Sequence, residues 1–254
     1  MSALTVAQGA AAARIIAREG EQRRHLVVAV SGAHAYGFPS PDSDVDLKAI
    51  HADPTRKLLG VHPAPTISSF IELVDGVEID YSSNEIGTVI AGVLKGNGNY
   101  IERILGRLQP YAAPELDELR TLVKASLSRR VHAHYAGFAR GQLHELEKGP
   151  ATVKKLLYVL RTAATGTHLL HTCKLVTDLE ELAAPCGLAE ARGLIARKRD
   201  GEQTPLPDLD PYRPLLERAF ANLDQARESS PLPPEPPNAP EIDEWLIRLR
   251  VSRL

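Results

Sequence analysis

Three aspartates with strand-like spacing are the residues of this chain best suited to chemistry. Asp44 and Asp46 lie two apart in the alternating stretch DVDLKAI (44–50), so on a strand both carboxylates project from one face. Asp80 lies in a second alternating stretch, VEIDY (77–81). Carboxylates held close together repel unless a cation lies between them, and Mg²⁺ prefers oxygen ligands. The pattern predicts a metal-assisted phosphoryl transfer in which Asp80 helps to activate the attacking hydroxyl.

A glycine turn precedes these acids. SGAHAYG (31–37) follows the apolar run HLVVAV (25–30), which is typical of a buried strand. At Ser31, Gly32 and Ala33 backbone N–H groups can approach phosphates closely, and a helix beginning near Ala33 adds a favourable partial charge. The turn and the acids together predict a phosphate-binding loop beside a metal pair.

Simpler explanations exist for each part. A glycine turn, or an Asp-x-Asp pair at the edge of a loop, is common in solvated turns of soluble proteins. The stretch from Asp42 to Asp46 also partly matches a calcium-binding loop. Leu47 stands where that loop requires glycine and Asp53 where it prefers glutamate, which disfavours a calcium site.

Local signals place these residues on secondary structure. The pattern predicts a helix over 3–19 ending at Gly20 and a hairpin, TISSFIELV-DG-VEIDY, that turns at Asp75-Gly76. Ser82 and Glu85 form a capping-box spacing, which predicts a helix over 83–95 ending at Gly96. Asn97 or Asn99 is expected to cap the next helix.

Strand signals vanish after about residue 115, and helical patterns follow. PLPPEPPNAP (231–240) is typical of a stiff linker, and EIDEWLIRLRVSRL of a short amphipathic helix that docks through Trp245 and Leu246. We predict an α+β fold, with a small mixed sheet followed by a helical region. The expected domains are 1–110, 111–230, and a linker with a docking helix over 231–254.

Bulk composition limits the classes of function. The formal net charge is −2 and 24% of residues are charged, which argues against a generally basic nucleic-acid coat. Cys173 and Cys186 have no paired-ligand spacing, so a disulfide framework or a cysteine zinc site is not expected. We find no signal peptide and no long charge-free run, and therefore predict a cytoplasmic protein without a membrane partner.

The motifs resemble those of the DNA polymerase β-like nucleotidyltransferase superfamily. The resemblance is carried by SGAHAYG at 31–37, Ser43-Asp-Val-Asp46 and the apolar-flanked Asp80. More narrowly, SGAHAYGFPSPDSDVDLKAI with KGNGNYIERIL resembles bacterial nucleotidyltransferases of the YcgL type, which include a branch found beside RNA ligases.

The resemblance implies roles for individual residues. Asp44 and Asp46 would bind two Mg²⁺ ions, with Mn²⁺ as a substitute, and Asp80 would bind the catalytic ion. Ser31, Gly32, Ala33 and Ser43 would contact the nucleotide. The serine that usually touches the triphosphate is Ala33 here, which puts that side-chain contact in doubt.

The resemblance also implies the reaction. A nucleoside monophosphate would pass from a nucleoside triphosphate such as ATP to a hydroxyl, with release of pyrophosphate. An RNA end is the expected acceptor and an RNA ligase the expected associate, in RNA repair. A small molecule or a protein side chain as acceptor, and a non-catalytic nucleotide-binding or antitoxin-like module, are the alternatives.

The helical half offers further candidates on the stretch VKKLLYVLRTAATGTHLLH. Lys154, Tyr158, Arg161, Thr165 and His168 fall on one stripe. Either the stripe is a solvated flank, or Lys154 and Arg161 bind the nucleotide or the acceptor, as a helical domain does in this superfamily.

Other residues of the helical half are less specific signals. Arg161 and His168 also have the Arg-x6-His spacing of HEPN ribonucleases, and Arg129 with Arg130 forms a small basic spot that could contact RNA. Four histidines could be metal ligands but are more often ordinary helix residues: His132, His134, His168 and His171.

Overall fold

The computed structural model describes residues 4–254, which group into two compact units. The sheet unit comprises Leu4–Gly32, Asp44–Ser126 and Pro236–Leu254, and the helical unit comprises Ala33–Ser43 and Leu127–Glu235. The predicted α+β class is confirmed, since a mixed sheet occupies the N-terminal part and helices dominate the rest. The predicted domain limits near residues 110 and 230 stay a prediction.

Within residues 4–254, five strands form the sheet, in the order β3-β4-β2-β1-β5. Their bounds are β1 Arg24–Val30, β2 Val45–Ala52, β3 Ile67–Val74, β4 Val77–Glu85 and β5 Tyr111–Ala112. β2 and β4 pair in parallel, and the other neighbours pair antiparallel. Six consecutive residues of β1, His25 to Val30, are buried, as expected of a central strand covered on both faces.

The first helix, α1 (Val6–Gln22), covers one face of the sheet. Thr5 and Gln8 form a capping box at its start. Ala11, Ala12 and Ile15 pack into a core with alternate residues of the strands, including Leu47 and Tyr81. The helix continues past Gly20 to Gln22, and the first residue of the predicted helix, Ala3, lies outside the described residues.

The predicted hairpin is present, but the predicted capping box at Ser82 is wrong. β4 continues to Glu85 because Ser82 and Ser83 pair with both β2 and β3. Glu85 is itself the N-cap of α4 (Ile86–Leu94), and its carboxylate accepts a hydrogen bond from the Gly87 N–H at 2.7 Å. Pairing on both sides therefore outweighs a local capping signal.

The remaining elements of the sheet unit are helices. They are α3 (Thr55–Leu58), α5 (Gly98–Leu105), α6 (Leu116–Ala125) and α12 (Ala239–Val251). Asn97 caps α5, accepting from the Asn99 N–H. Trp245 of α12 is buried and donates to Glu118 of α6 at 3.1 Å, while Leu246 is half-buried. The helix begins at Ala239, so the last two residues of the predicted linker are helical, and Pro240 suits its first turn.

The helical unit is built around α8 (Val153–Thr172). α7 (Val131–Lys148) and α11 (Arg213–Glu228) pack against it. Its apolar stripe is fully buried and consists of Val153, Leu156, Leu157, Leu160 and Ala164. The unit also contains α9 (Leu179–Leu182), α10 (Ala191–Lys198) and a 3-10 turn (Asp210–Tyr212). A five-residue helix, α2 (Gly32–Tyr36), begins at the last residue of the first sheet-unit segment.

Two further sequence expectations concern membranes and cysteines. None of the helices formed by residues 4–254 combines the length and apolarity that crossing a bilayer requires. Cys173 and Cys186 are both free thiols, one exposed and one buried.

Candidate active site

The sheet brings two of the three predicted acids into direct register. Asp46 of β2 pairs with Asp80 of β4 across the parallel ladder, so their side chains leave the sheet on the same face. The alternation of DVDLKAI and VEIDY is responsible, because Val45, Leu47, Ile79 and Tyr81 are all buried on the opposite face. Asp46 and Asp80 therefore lie side by side on one face of the sheet.

Lys48 links the two carboxylates. Its Nζ lies 2.8 Å from Oδ2 of Asp80 and 3.3 Å from Oδ1 of Asp46. Lys48 follows Asp46 by two residues on β2 and therefore projects from the same face. From the sequence, Lys48 had no predicted role. In the structure it supplies the positive charge that the carboxylate pair requires.

Asp46 lies in an environment that disfavours its charged form. Burial raises the pKa of the Asp46 carboxyl to about 6, and the charges of Asp44 and Asp80 add to the rise while Lys48 opposes it. A nearby cation therefore strongly stabilises the charged form of this carboxylate.

Asp44 lies just before β2, which begins at Val45. Its negative charge contributes to the raised pKa of Asp46. Within residues 4–254, however, no group of three or more His, Cys, Asp or Glu side chains is gathered closely enough to hold a metal ion. The roles of Asp44, Asp46 and Asp80 as metal ligands therefore stay a prediction.

Gly32 is packed directly against the Asp46 carboxylate. Its φ is +63°, and a Cβ built on it would lie 1.9 Å from Oδ2 of Asp46. Only glycine accepts this conformation without strain at such a close approach. The neighbouring Ser31 N–H donates to the Asp46 carbonyl at 2.9 Å, so this N–H group already has a partner within the protein.

Apolar side chains extend the acid-bearing face toward the edge of the sheet. Ile71 of β3 pairs directly with Asp80, and Leu73 pairs with Glu78. Both are exposed, at 69% for Ile71 and 70% for Leu73. An organic ligand at Asp80 would therefore find an apolar surface beside the carboxylate.

Ser43, a predicted nucleotide contact, belongs to a polar network of the helical unit. Its Oγ donates to Oε2 of Glu202 at 2.9 Å, and its hydroxyl lies 3.1 Å from that of Ser40. The Glu202 N–H donates to Asp42 at 3.1 Å. Glu202 thus holds the loop that leads directly into Asp44.

A buried lysine completes this network. Lys198 is fully buried, and its Nζ donates to Glu202 at 2.5 Å and to Ser40 Oγ at 2.7 Å. Burial alone would raise the pKa of the Glu202 carboxyl, but hydrogen bonds from Lys154, Lys198 and Ser43 hold it below its usual range. Sequence reasoning missed Glu202 and Lys198, because no local spacing connects them with the loop.

The structure places the two predicted cations of α8 within the helical unit. Lys154 forms an ion pair with Glu202. Arg161 is 1% exposed and its guanidinium lies 3.6 Å from the centroid of the Tyr36 ring, a cation–π contact. The alternative of a solvated flank is wrong for Arg161 and for Thr165, which is also buried. Nucleotide binding by Lys154 and Arg161 stays a prediction.

Three of the remaining candidates have partners within the helical unit, namely His132, Arg129 and Arg130. His132 Nε2 lies 2.8 Å from Asp224, and burial together with the charge of Arg161 lowers the pKa of His134 to about 4. Arg129 donates to the Leu232 carbonyl at 2.8 Å, and Arg130 pairs with Glu235. These contacts give the three residues a structural role, and contact of Arg129 and Arg130 with RNA stays a prediction.

The donor set at Asp46 and Asp80 suits a divalent cation. Both are hard oxygen donors, and they already share one positive group, the Lys48 ammonium. A divalent ion would meet the same demand for positive charge. The residues therefore fit the metal ions that the fold implies.

Comparisons with known proteins place the chain among relatives. It is 27% identical over 156 residues to an uncharacterized protein of Methanocaldococcus jannaschii, a match that covers 60% of this chain and 63% of that protein. The chain thus spans somewhat less than two thirds of the length of this relative.

A solved structure is also similar. The crystal structure of a nucleotidyltransferase-like protein from Exiguobacterium sibiricum matches with 12% identity and a TM-score of 0.35, over 87% of this chain and 74% of that one. Residues 9–248 match the RlaP family, so this chain belongs to the RNA repair pathway DNA polymerase beta family.

Proposed function

We propose that this protein is a metal-dependent nucleotidyltransferase that moves a nucleoside monophosphate from a nucleoside triphosphate to a hydroxyl of an RNA end. The observation that carries the proposal is the register pairing of Asp46 with Asp80 around one cationic group. Membership of an RNA repair family supports RNA as the acceptor.

The polymerase β superfamily typically uses divalent metal ions. Asp44, Asp46 and Asp80 would hold them here. When bound, such ions neutralise charge on the triphosphate and make the attacking hydroxyl more acidic. Residues of the chain would position the substrates and accept the proton of the attacking hydroxyl.

Asp80 is the residue best placed to receive the acceptor. In the proposed reaction the acceptor oxygen forms a bond to the α-phosphorus, the bond between the α-phosphorus and its bridging oxygen to the β-phosphorus breaks, and pyrophosphate leaves. Asp80 accepts the proton of the attacking hydroxyl. The exposed Ile71, directly beside Asp80, offers an apolar contact for the organic part of the acceptor.

Gly32 and Asp46 would position the nucleotide side of the site. The contact between the Gly32 backbone and the Asp46 carboxylate keeps that carboxylate in place. Because the Ser31 N–H is hydrogen-bonded to Asp46, we assign phosphate contacts to the N–H groups of Gly32 and Ala33 and to the Ser31 hydroxyl. Ser43 would contribute through the loop that Glu202 holds.

The test is transfer of label from each of the four nucleoside triphosphates, radiolabelled at the α-phosphate, to a mixed pool of RNAs. Reactions with Mg²⁺ are compared with reactions in EDTA. We expect metal-dependent labelling of RNA, with one preferred nucleotide. Label that enters a protein or a small molecule only when cell extract is added would replace RNA by another acceptor. No transfer under any condition would favour the non-catalytic module.

A further inference from the structure

A second candidate site lies in the sheet unit, away from the acids. It is an open pocket of about 570 Å³ lined by α1, the first residues of β1, α3, β5 and Arg253, and we refer to it as the basic pocket. Arg24 and His25 line it at the start of β1, whereas Gly32 follows the end of that strand. Seven strand residues separate the two places by roughly 20 Å. The basic pocket is therefore distinct from the candidate active site.

Positive charge is concentrated in the basic pocket. Among the residues that the structure describes, its lining contains four cationic side chains and one acidic residue, Glu21. The four cations are Arg23, Arg24, Lys57 and Arg253. The chain as a whole has a net charge of −2, so this concentration is a local feature. A pocket with this lining favours an anion.

Two of these cations keep charge available for a ligand. Arg253 donates to the carbonyls of Ala52 at 2.9 Å and Asp53 at 3.4 Å, which orient its guanidinium without neutralising it. Burial and the nearby charge of Arg24 lower the pKa of Arg253, as expected where cations are crowded. Lys57 is exposed and makes no ion pair with any residue from 4 to 254.

The other two arginines are held by acids. Arg23 pairs with Glu19 and Arg24 with Glu115. The Arg24 pair ties the start of β1 to the residue before α6, and both pairs fix the direction of the guanidinium groups. The basic pocket is therefore preorganised, since only Lys57 has to be ordered by a ligand.

One wall of the basic pocket suits a planar ring. Tyr111 of β5 is 38% exposed and packs edge-on against His25, with ring centroids 6.0 Å apart. Ile16, Pro54 and Pro110 add apolar surface around it. Burial and the charge of Arg23 lower the pKa of His25 to about 4, so the ring below Tyr111 is neutral at pH 7. An exposed tyrosine on a rigid strand is a common stacking surface for a nucleobase.

We propose that the basic pocket binds a nucleoside phosphate, either a free nucleotide or the phosphorylated end of an RNA. The base packs on Tyr111, and the phosphate lies near Lys57 and Arg253. The cations alone would bind any anion, and the aromatic wall alone would bind any apolar ring. Together, in a pocket of this volume, they favour a ligand that carries both a negatively charged group and a planar ring. This site does not depend on the proposed transferase activity.

Equilibrium binding to the full chain in EDTA tests the proposal without metal at the acids. The probes are AMP, inorganic phosphate, and a short RNA with a 5′-phosphate or a 5′-hydroxyl. Lys57→Glu should weaken the binding of AMP or of 5′-phosphorylated RNA at least tenfold. Lys124→Glu, an exposed charge reversal on α6, is the control and should change the same affinity less than twofold. Tyr111→Ala should weaken the binding of AMP but leave the affinity for inorganic phosphate unchanged.

The outcomes separate the two sources of ligand. AMP that binds as tightly as the phosphorylated RNA supports a free nucleotide, and RNA that binds far more tightly than AMP supports an RNA end. Equal binding of 5′-hydroxyl and 5′-phosphate RNA, with AMP not bound, would overturn the proposal. The proposal would also be overturned if polyglutamate competed for the bound RNA as strongly as AMP does. It would equally be overturned if Lys57→Glu and Lys124→Glu changed the affinity for AMP to the same extent.

Discussion

Asp46 and Asp80 are direct partners across the parallel pairing of β2 and β4, and a single lysine on the same face contacts both carboxylates. Two acids in register on adjacent strands repel at short distance, so the pair is stable only with positive charge between them. Lys48 meets this demand in the protein itself. A metal ion that binds the same carboxylates must therefore compete with Lys48.

This competition can be measured with Lys48→Met. Without metal, the variant should be less stable than the wild type by about 1–2 kcal/mol, because the repulsion between Asp46 and Asp80 is no longer offset. Mg²⁺ should then raise the melting temperature of the variant more than that of the wild type. Thermal unfolding with and without Mg²⁺ measures both effects, and Lys95→Met, at an exposed position, is the control. Equal Mg²⁺ shifts in the three proteins would mean that Lys48 and metal do not share the carboxylates.

Gly32→Ala tests the contact between the glycine turn and the active-site carboxylate. The added Cβ would lie 1.9 Å from Asp46 Oδ2 at a φ of +63°, so Asp46 or the turn must move. We expect a loss of about 1–3 kcal/mol in stability and at least a tenfold loss in the rate of nucleotidyl transfer. Gly137→Ala, where a Cβ meets nothing within 4 Å, is the matched control. A Gly32→Ala variant with wild-type rate would show that the placement of Asp46 is not critical.

Glu202 should stabilise the loop before Asp44 through its buried pair with Lys198. Glu202→Gln leaves the fully buried ammonium of Lys198 without a counter-charge, which should cost about 3 kcal/mol. Lys198→Met in the same chain removes that charge, so the double variant should be more stable than Glu202→Gln alone. Urea denaturation of the four proteins in the cycle gives the coupling energy. Strictly additive effects would contradict the buried pair.

Buried His25 should make the protein sensitive to acid. Burial, with the charges of Arg23 and His51, lowers the pKa of His25 to about 4 from an ordinary value near 6.5, and its Nε2 lies 2.8 Å from the Tyr81 hydroxyl. The unfolded chain therefore binds a proton at a higher pH than the folded protein does. The stability that His25 contributes is complete above pH 6.5 and is lost as the pH falls from there toward 4.

The difference at pH 5 should be about 2 kcal/mol relative to neutral pH. His25→Gln lacks the titrating group, so its stability should fall less between pH 7 and pH 5 than that of the wild type. Denaturant unfolding at the two pH values measures this, with the exposed His144→Gln as control. If His25→Gln and the wild type lost equal stability, His25 would not be the source of the acid sensitivity.

The parts of the fold that sequence predicted well depend on local chemistry. The hairpin at Asp75-Gly76 is such a case, since both residues adopt the positive φ of that turn, +49° and +80°. The alternation around Asp46 and Asp80 likewise gave the face on which each side chain lies. A strand partner is not a local property, but only a small number of pairings would bury Leu47 and Tyr81 together.

The parts that sequence could not predict depend on contacts distant in the chain. Ser82 and Glu85 match a helix-capping pattern, yet pairing with strands on both sides keeps these residues in β4. Glu202 is 159 residues from Ser43, and no periodicity relates them. Arg161 lies on the polar stripe of α8 but is buried against Tyr36, because an aromatic ring from a distant segment covers it. Tertiary packing decided each of these cases.

The most direct test of the account is the rate of label transfer to RNA in Mg²⁺ by the wild type, Asp46→Asn, Asp80→Asn and Glu78→Gln. Glu78 is an exposed acid on the same strand and face as Asp80, so its variant controls for loss of charge. We predict that both aspartate variants fold and lose at least a hundredfold in rate, while Glu78→Gln stays within about twofold of the wild type. Transfer by Asp46→Asn or Asp80→Asn at the wild-type rate would contradict the assignment of the reaction to this carboxylate pair.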